Sequence, residues 1–361
     1  MLENTLFKIK SDKKLRVGYF GGSITEGAGS SDHDRTCYRA IITQYLKDKY
    51  PECDITEIYA AIGGTGTSYG MFRMVPDLLC HRPDLVFVEF AVNDYGDTYD
   101  NIRAQTETIF RKLLLADANT DIIILFSTSE EVIGNVEAGF EFDSRSAQLA
   151  AAHRYNVMSI DQGAALHAAI RNSGAKITDF IPDTLHPNDR GYRAMADCII
   201  SHLERLLDAD TPAALVPHEI PSPESTHTYD GATLIPVNEL CALECRGFRE
   251  KNAPDGERFH VYLAADGCDD SFSFEFDGEC LGFTWVGGYT SADLLVSIDG
   301  GDEIRVRSWD HALRSFHRMQ NALFAKGLEN THHRATVRLD CTNADAERTE
   351  KCGISGVFLC K

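Results

Sequence analysis

The run Leu85-Val86-Phe87-Val88-Glu89-Phe90 is apolar at five of its six positions. Its first four residues are apolar in succession, so a strand formed by them is apolar on both faces. Such a strand is typical of the middle of a parallel sheet, where helices cover both faces. The run therefore predicts an α/β fold with residues 85–90 as a central strand.

More short apolar runs, separated by amphipathic stretches of helical length, extend this pattern to residue 207. The helix predicted at 35–50 ends before Pro51, because proline cannot continue a helix. The helix predicted at 187–207 has Pro187 in its first turn. Four further strands are predicted, at 15–20, 54–60, 121–127 and 157–160. Five strands alternating with helices indicate one parallel sheet.

The pattern changes after this region. Four prolines lie between residues 211 and 230 in a stretch without apolar periodicity, which predicts a linker. Beyond it the apolar residues recur with period two, which predicts strands at 258–264, 271–276, 280–286, 293–298, 303–309, 334–340 and 354–360. We therefore predict an α/β domain over residues 1–210, a linker over 211–230 and an antiparallel, jelly-roll-like β-sandwich over 231–361.

The charge of the chain excludes one class of partner. The sequence has 35 Lys and Arg residues against 55 Asp and Glu residues, a formal net charge of −20. Nucleic-acid affinity comes mostly from basic side chains that neutralise phosphates, so a nucleic-acid partner is excluded. The absence of a leader-like or membrane-length apolar run predicts a cytoplasmic protein without a membrane partner. Its 11 cysteines lack ordered spacing and are predicted to be free thiols rather than metal ligands.

Four loops carry the residues that can do chemistry. Three follow the first three predicted strands and contain Ser23, Gly64 and Asn93, and the fourth, after the last strand, contains His186. Ligands of open parallel sheets bind at the carboxyl ends of the strands, where these loops lie. The first loop has the glycine spacing of a phosphate-binding loop, but Ala28 stands where that motif needs lysine.

Together these loops supply the parts of an acyl-transfer site. A serine hydroxyl such as that of Ser23 needs a base to remove its proton, and an imidazole such as that of His186 is a suitable one at neutral pH. Asp183, three residues earlier, is within reach of the same imidazole. The Ser23 and Gly64 N–H groups and the Asn93 amide are the expected oxyanion donors. This chemistry needs no cofactor or metal ion.

These residues resemble the SGNH hydrolases, also called GDSL esterases. That family carries Ser, Gly, Asn and His in four blocks in this order, matched here by Ser23, Gly64, Asn93 and His186, and the final D-x-x-H block matches Asp183 with His186. The resemblance covers roughly residues 15–207, with Gly21-Gly22-Ser23-Ile24 in place of Gly-Asp-Ser-Leu. It implies a Ser23–His186–Asp183 triad and a three-layer, flavodoxin-like sheet of strand order 2-1-3-4-5.

The resemblance also implies an activity. SGNH hydrolases that combine this domain with a β-sandwich look like carbohydrate esterases, so we expect a serine esterase that removes small O-acyl groups, acetyl above all, from a small-molecule or oligosaccharide ester. A lipid esterase or acyl-thioesterase of the same fold is the alternative within the enzyme class. A non-catalytic carbohydrate-binding protein is the alternative from another class, and Trp285 or Trp309 would then offer a flat face to a sugar. The sequence leaves self-association open.

Overall fold

The computed structural model describes residues 2–225, 229–253, 260–286, 292–308, 319–342, 344 and 351–361. The chain divides into two compact units, residues 1–228 and 229–361. Within the described residues, no helix is both long enough and apolar enough to cross a membrane.

The first unit is built on a five-stranded parallel sheet. Its strands are β1 (Lys14–Gly21), β2 (Asp54–Ala61), β3 (Leu85–Glu89), β4 (Asp121–Phe126) and β5 (Met158–Asp161). They lie in the order β2-β1-β3-β4-β5, which confirms the flavodoxin-like order. All five residues of β3 are buried, as expected of the apolar run at 85–90.

Helices cover both faces of this sheet. They are α1 (Glu3–Phe7), α2 (Ser23–Glu26), α3 (Tyr38–Lys49), α4 (Thr67–Asp77), α5 (Tyr99–Ala116), α6 (Glu130–Glu137), α7 (Asp143–Arg154), α8 (Gln162–Ser173) and α9 (Asp189–Leu207). Helix α9 packs against α3 and α8, whereas α5 packs against α4 and α7. Because crossovers between parallel strands are right-handed, the reversal of strand order at β1 puts α3 and α4 on opposite faces.

The prediction for the start of the last helix was wrong by two residues. Pro187 precedes α9, and Asn188 caps it by accepting hydrogen bonds from the Arg190 and Gly191 N–H groups, both at 3.1 Å. An asparagine side chain satisfies N–H groups that a helix start leaves open, which proline cannot do.

The second unit is an antiparallel β-sandwich, as predicted. Its described strands are β6 (Ala232–Pro236), β7 (Cys241–Arg246), β8 (Arg249–Asn252), β9 (Val261–Ala265), β10 (Ser271–Val286), β11 (Asp293–Ile298), β12 (Ile304–Val306), β13 (Met319–Asp340) and β14 (Cys352–Cys360).

The strand boundaries in this unit differ from the prediction. Residues 271–276 and 280–286, predicted as two strands, form the single strand β10. Its pairing with β13 shifts register between Gly278 and Cys280. A Cβ at residue 278 would lie 2.2 Å from the Cys360 carbonyl oxygen, so only glycine fits at this position. This local irregularity interrupts the apolar period without ending the strand.

The prediction that all cysteines are free was also wrong, because Cys268 and Cys341 form a disulfide. The pairing of Ser271 with Arg338 brings them together, since Cys268 precedes β10 and Cys341 follows β13. Their separation of 73 residues concealed this contact in the sequence. The other nine cysteines do not form disulfides.

Part of the segment predicted as a linker packs on the first unit. Nε2 of His218 lies 2.8 Å from a carboxylate oxygen of the buried Asp121. The Val216 N–H donates to the Asn4 side chain at 2.7 Å, and the Asn4 amide donates back to the Val216 carbonyl at 2.9 Å. These bonds join residues 216–218 to α1 and to the start of β4.

A buried arginine ties together the ends of β1 and β2. The guanidinium of Arg73, in α4, donates to the carbonyl oxygens of Gly21 at 3.0 Å and Ala60 at 2.8 Å. It also pairs with Asp77 at 2.8 Å and lies over the Phe20 ring. Since Arg73 is fully buried, these contacts compensate the loss of its hydration.

A buried carboxylate at the end of β3 holds α2. The Thr25 hydroxyl donates to Glu89 Oε2 at 2.9 Å, and Glu89 is fully buried. Burial raises the pKa of Glu89 to about 7, although hydrogen bonds such as the one from Thr25 act in the opposite direction. Glu89 is the single polar residue of the run at 85–90, and it binds the helix that begins at Ser23.

We expect Arg73→Met to lower the free energy of unfolding by about 3 kcal/mol, because two strand-end carbonyls lose a buried donor. Urea unfolding measures this change. Arg193→Met is the matched control: Arg193 also pairs with an aspartate four residues on, Asp197, but its side chain is 61% exposed. The control should change stability by less than about 1 kcal/mol. Equal losses in both variants would contradict the role assigned to Arg73.

We expect Glu89→Gln to reduce the pH dependence of stability. The raised pKa means that folded Glu89 keeps its proton up to about pH 7, whereas the unfolded chain releases it near the ordinary value of 4.5. Glu89 therefore stabilises the fold at low pH, and that contribution is lost as the pH rises to about 7.

The free energy of unfolding of the variant relative to wild type should rise by about 2 to 3 kcal/mol between pH 4 and pH 8. Urea unfolding at both values measures it, with Glu52→Gln at an exposed turn as the control. A constant difference between variant and wild type would contradict the raised pKa.

Candidate active site

The four predicted loops meet at the carboxyl edge of the parallel sheet. Ser23 is the first residue of α2, directly after β1 and Gly22. Gly64 follows β2 and Asn93 follows β3. His186 lies between α8 and α9, and its ring reaches Ser23 across 163 residues of chain.

Ser23, His186 and Asp183 form a continuous hydrogen-bonded chain. Nε2 of His186 lies 2.9 Å from Ser23 Oγ, and Nδ1 lies 2.6 Å from Asp183 Oδ2. Ser23 is buried, and the His186 side chain is largely buried. A base within hydrogen-bond distance of a hydroxyl, itself oriented by a carboxylate, is the arrangement that activates a serine nucleophile.

The loop that carries Asp183 and His186 is shaped by its backbone. Asp183 Oδ1 accepts hydrogen bonds from the N–H groups of Leu185 at 3.0 Å and His186 at 2.6 Å. Thr184, between these residues, has a φ of 74°, which is rare for a β-branched residue. Its carbonyl accepts a hydrogen bond from the Glu130 N–H at 2.8 Å. The strained turn folds the loop back on the carboxylate.

These contacts also keep Asp183 ionised. Its partial burial alone would raise the pKa, but hydrogen bonds from the backbone and ring of His186 and from the Leu185 N–H outweigh burial and lower it below the ordinary value. The carboxylate is therefore charged at neutral pH and can stabilise an imidazolium on His186.

The predicted oxyanion donors lie on the first three loops. In the described part of the chain, the N–H groups of Ser23 and Gly64 have no hydrogen-bond partner. Gly64 has a φ of 72°, a conformation that favours glycine. The Asn93 side-chain oxygen is buried without a partner among the described residues, and a Cβ on Gly22 would lie 2.5 Å from it. Glycine at 22 therefore lets the Asn93 amide approach the Ser23 loop.

Asp94, next to Asn93, is a buried support of the site. It accepts hydrogen bonds from the N–H and hydroxyl of Thr67 at 2.8 and 2.9 Å and from Gln148 at 2.6 Å. Burial raises its pKa to about 7, even though these hydrogen bonds lower it. Asp94 thus fastens the loop after β3 to α4 and α7.

Sequence reasoning missed the supports beneath these loops. Arg73 and Glu89 hold the strand ends and α2, yet neither belongs to a motif. The signal for Glu89 was a carboxylate inside an otherwise apolar strand, which is costly unless it has partners. No comparable signal marked Arg73, because its carbonyl partners are backbone groups.

A cleft of about 460 Å³ opens beside the Asp183–His186 loop and the Asn93 loop. Its walls come from the ends of β3 and β4, from α6, from the residue before α7 and from the loop before α9. The lining residues are Ala91, Val92, Tyr95, Ser129, Glu130, Glu131, Val132, Phe142, Thr184 and Leu185.

The structure answers the question about one of the two tryptophans. Trp285 is 3% exposed in the core of the second unit, and its indole N–H donates to the Ser308 carbonyl at 2.9 Å. It therefore offers no open face to a sugar in this structure. Trp309 lies outside the described residues. No group of three His, Cys, Asp or Glu side chains in the described ranges could hold a metal ion.

Comparison with solved structures gives the fold of the whole chain. A two-domain esterase (CEX) active on acetylated mannans matches all of this chain and 94% of its own, with 21% identity and a TM-score of 0.86, in crystals with mannopentaose. A second structure of that esterase matches all of this chain and 96% of its own, with the same identity and TM-score. Both share the two-unit architecture. Among curated proteins, no sequence matches.

Sequence comparison assigns the first unit to a family. The model of the GDSL-like lipase/acylhydrolase family matches residues 19–194. This range begins within β1, ends within α9 and contains Ser23, Gly64, Asn93, Asp183 and His186. The first unit of this chain therefore belongs to the GDSL-like lipase/acylhydrolase family.

Proposed function

We propose that this protein is a serine esterase that removes small acyl groups, acetyl above all, from a carbohydrate. The observation that supports the proposal most directly is the chain of hydrogen bonds from Asp183 through His186 to Ser23, with distances of 2.6 and 2.9 Å. It supplies an oriented base to a buried serine hydroxyl at the edge of a sheet where ligands bind.

In the proposed reaction, Ser23 Oγ attacks the carbonyl carbon of the ester while His186 Nε2 takes the hydroxyl proton. The N–H groups of Ser23 and Gly64 and the Asn93 side-chain amide stabilise the negative oxygen of the tetrahedral intermediate. The intermediate expels the alcohol, which receives the proton from His186, and leaves an acyl-enzyme. Water, deprotonated by His186, then releases the acid and restores Ser23.

Two features favour a carbohydrate acetate over other esters. The esterase that shares this two-unit fold is active on acetylated mannans. The cleft beside Asp183 and His186 is lined by carboxylate, hydroxyl and aromatic side chains as well as aliphatic ones, which suits a hydroxyl-rich alcohol better than an acyl chain. A lipid esterase or acyl-thioesterase instead predicts rates that rise with acyl chain length.

The compartment stays a prediction. The nine cysteines outside a disulfide favour the reducing cytoplasm, whereas the Cys268–Cys341 disulfide is more typical of an oxidising compartment. Fractionation of cells that express the protein distinguishes the two.

We expect Ser23→Ala to lower kcat on p-nitrophenyl acetate and on acetylated oligosaccharides by at least about 10³-fold, because the nucleophile is removed. A fluorophosphonate should label wild type at residue 23 and leave the variant unlabelled at that position. Ser201→Ala, at an exposed position of α9, is the control and should keep wild-type rates. Equal rates for wild type and Ser23→Ala, without labelling of wild type, would favour a binding protein instead.

We expect Asn93→Ala to lower kcat by about 10²- to 10³-fold with a much smaller change in KM, because the lost donor acts on charge that develops in the transition state. Steady-state kinetics on p-nitrophenyl acetate test this, and fluorophosphonate labelling should continue because Ser23, His186 and Asp183 remain. Asn172→Ala, on the exposed surface of α8, is the control. A kcat within threefold of wild type would remove Asn93 from the proposed oxyanion site.

A further inference from the structure

Several residues that line the cleft are sequence neighbours of the residues in the proposed catalytic site. Two of its lining residues, Thr184 and Leu185, are the residues between Asp183 and His186, and two others, Ala91 and Val92, directly precede Asn93. A group attached to an ester at Ser23 therefore has this cleft as its neighbouring space.

An exposed aromatic side chain forms one wall of the cleft. Tyr95 is 61% exposed. Its ring meets the Phe142 ring edge to face, with centroids 5.9 Å apart at 87°. This contact holds Tyr95 at the cleft while most of its surface stays accessible. A fixed, accessible aromatic face is suited to packing against the C–H face of a pyranose ring.

The polar groups of the cleft suit a neutral, hydroxyl-rich ligand. Glu130 and Glu131 are exposed at the start of α6, and neither carboxylate forms an ion pair with another described residue. No Lys or Arg is among the residues that line the cleft. Carboxylates accept hydrogen bonds from sugar hydroxyls but repel an anionic group.

We propose that this cleft binds the sugar of the acyl ester, with Tyr95 as its stacking face and Glu130 and Glu131 as the groups that select neutral over anionic sugars. This inference rests on the proposed esterase function and adds the substrate class that the site accepts. Uronic-acid oligosaccharides are thereby excluded as good substrates, and the acid product, also an anion, is repelled from the same space.

Kinetics on two substrates test the role of Tyr95. We expect Tyr95→Ala to lower kcat/KM on acetylated manno-oligosaccharides by about tenfold, mainly through KM, and to change kcat/KM on ethyl acetate, whose alcohol carries no ring to stack on Tyr95, by less than twofold. Tyr95→Trp, which keeps an aromatic face, should restore most of the loss. Phe140→Ala is the control, because Phe140 is 68% exposed just before Phe142 but does not line the cleft. Equal losses on both substrates, or none on the oligosaccharide, would overturn the assignment.

Charge selection is tested separately. We expect the double variant Glu130→Gln, Glu131→Gln to raise kcat/KM on acetylated oligogalacturonate by about tenfold relative to acetylated manno-oligosaccharide. An unchanged ratio would contradict the selecting role of the two carboxylates.

A binding measurement separates failure of the subsite from failure of the proposed function. Calorimetric titration of Ser23→Ala with unacetylated mannopentaose reports sugar binding without turnover, and adding Tyr95→Ala should weaken binding about tenfold. Unchanged binding in the double variant would overturn the subsite even if Ser23 proves essential. Weakened binding together with full activity of Ser23→Ala would overturn the esterase and leave the sugar site in place.

Discussion

The site depends on the fact that β1, β2 and β3 end at the same level. Gly21, the last residue of β1, is in register with Ala61 of β2 on one side and with Glu89 of β3 on the other. Two hydrogen bonds extend the ladder one step further, from the Gly22 N–H to the Glu89 carbonyl and from the Ile62 N–H to the Gly21 carbonyl. A slip of one residue in either pairing would move one loop by about 3.3 Å, more than the tolerance of a hydrogen bond.

The supports of this edge are polar groups buried at considerable cost. Glu89 holds α2 through Thr25, and Asp94 holds α4 through Thr67, and burial raises the pKa of both carboxyl groups to about 7. Apolar side chains would fill the same volume without a desolvation penalty, but they would not fix the orientation of α2 and α4. Hydrogen bonds do, because each requires a donor at one distance and angle. The first unit therefore gives up stability beneath the site for fixed positions of Ser23 and Asn93.

Much of the fold of the first unit could be predicted from short-range patterns of apolar residues in the sequence. An apolar run such as 85–90 specifies a buried parallel strand, and residues at strand ends are brought to one edge by topology alone, which is why four distant loops could be assigned to one site. Contacts between distant backbone groups were not predictable. The carbonyl partners of Arg73 and the strained φ of Thr184 depend on the three-dimensional fold, and the residue types do not indicate them.

The second unit was predicted less completely, for a related reason. Alternation reveals strands with one buried face, but β7 and β8 are mostly exposed and carry no such pattern. The pairing of Cys268 with Cys341 depends on the register of β10 with β13, which period-two alternation does not determine.

The exposure of Asp183 explains why the loop before α9 is strained. Its side chain is 56% exposed, and an ion pair between groups in contact with water contributes less than about 1 kcal/mol. Attraction to His186 alone would thus leave the carboxylate free to rotate. Two backbone N–H groups fix it instead, because both donate to Oδ1 in the turn where Thr184 adopts a positive φ. That conformation costs about 1 to 3 kcal/mol. The backbone strain therefore secures the orientation of the carboxylate, and its charge remains available to stabilise an imidazolium on His186.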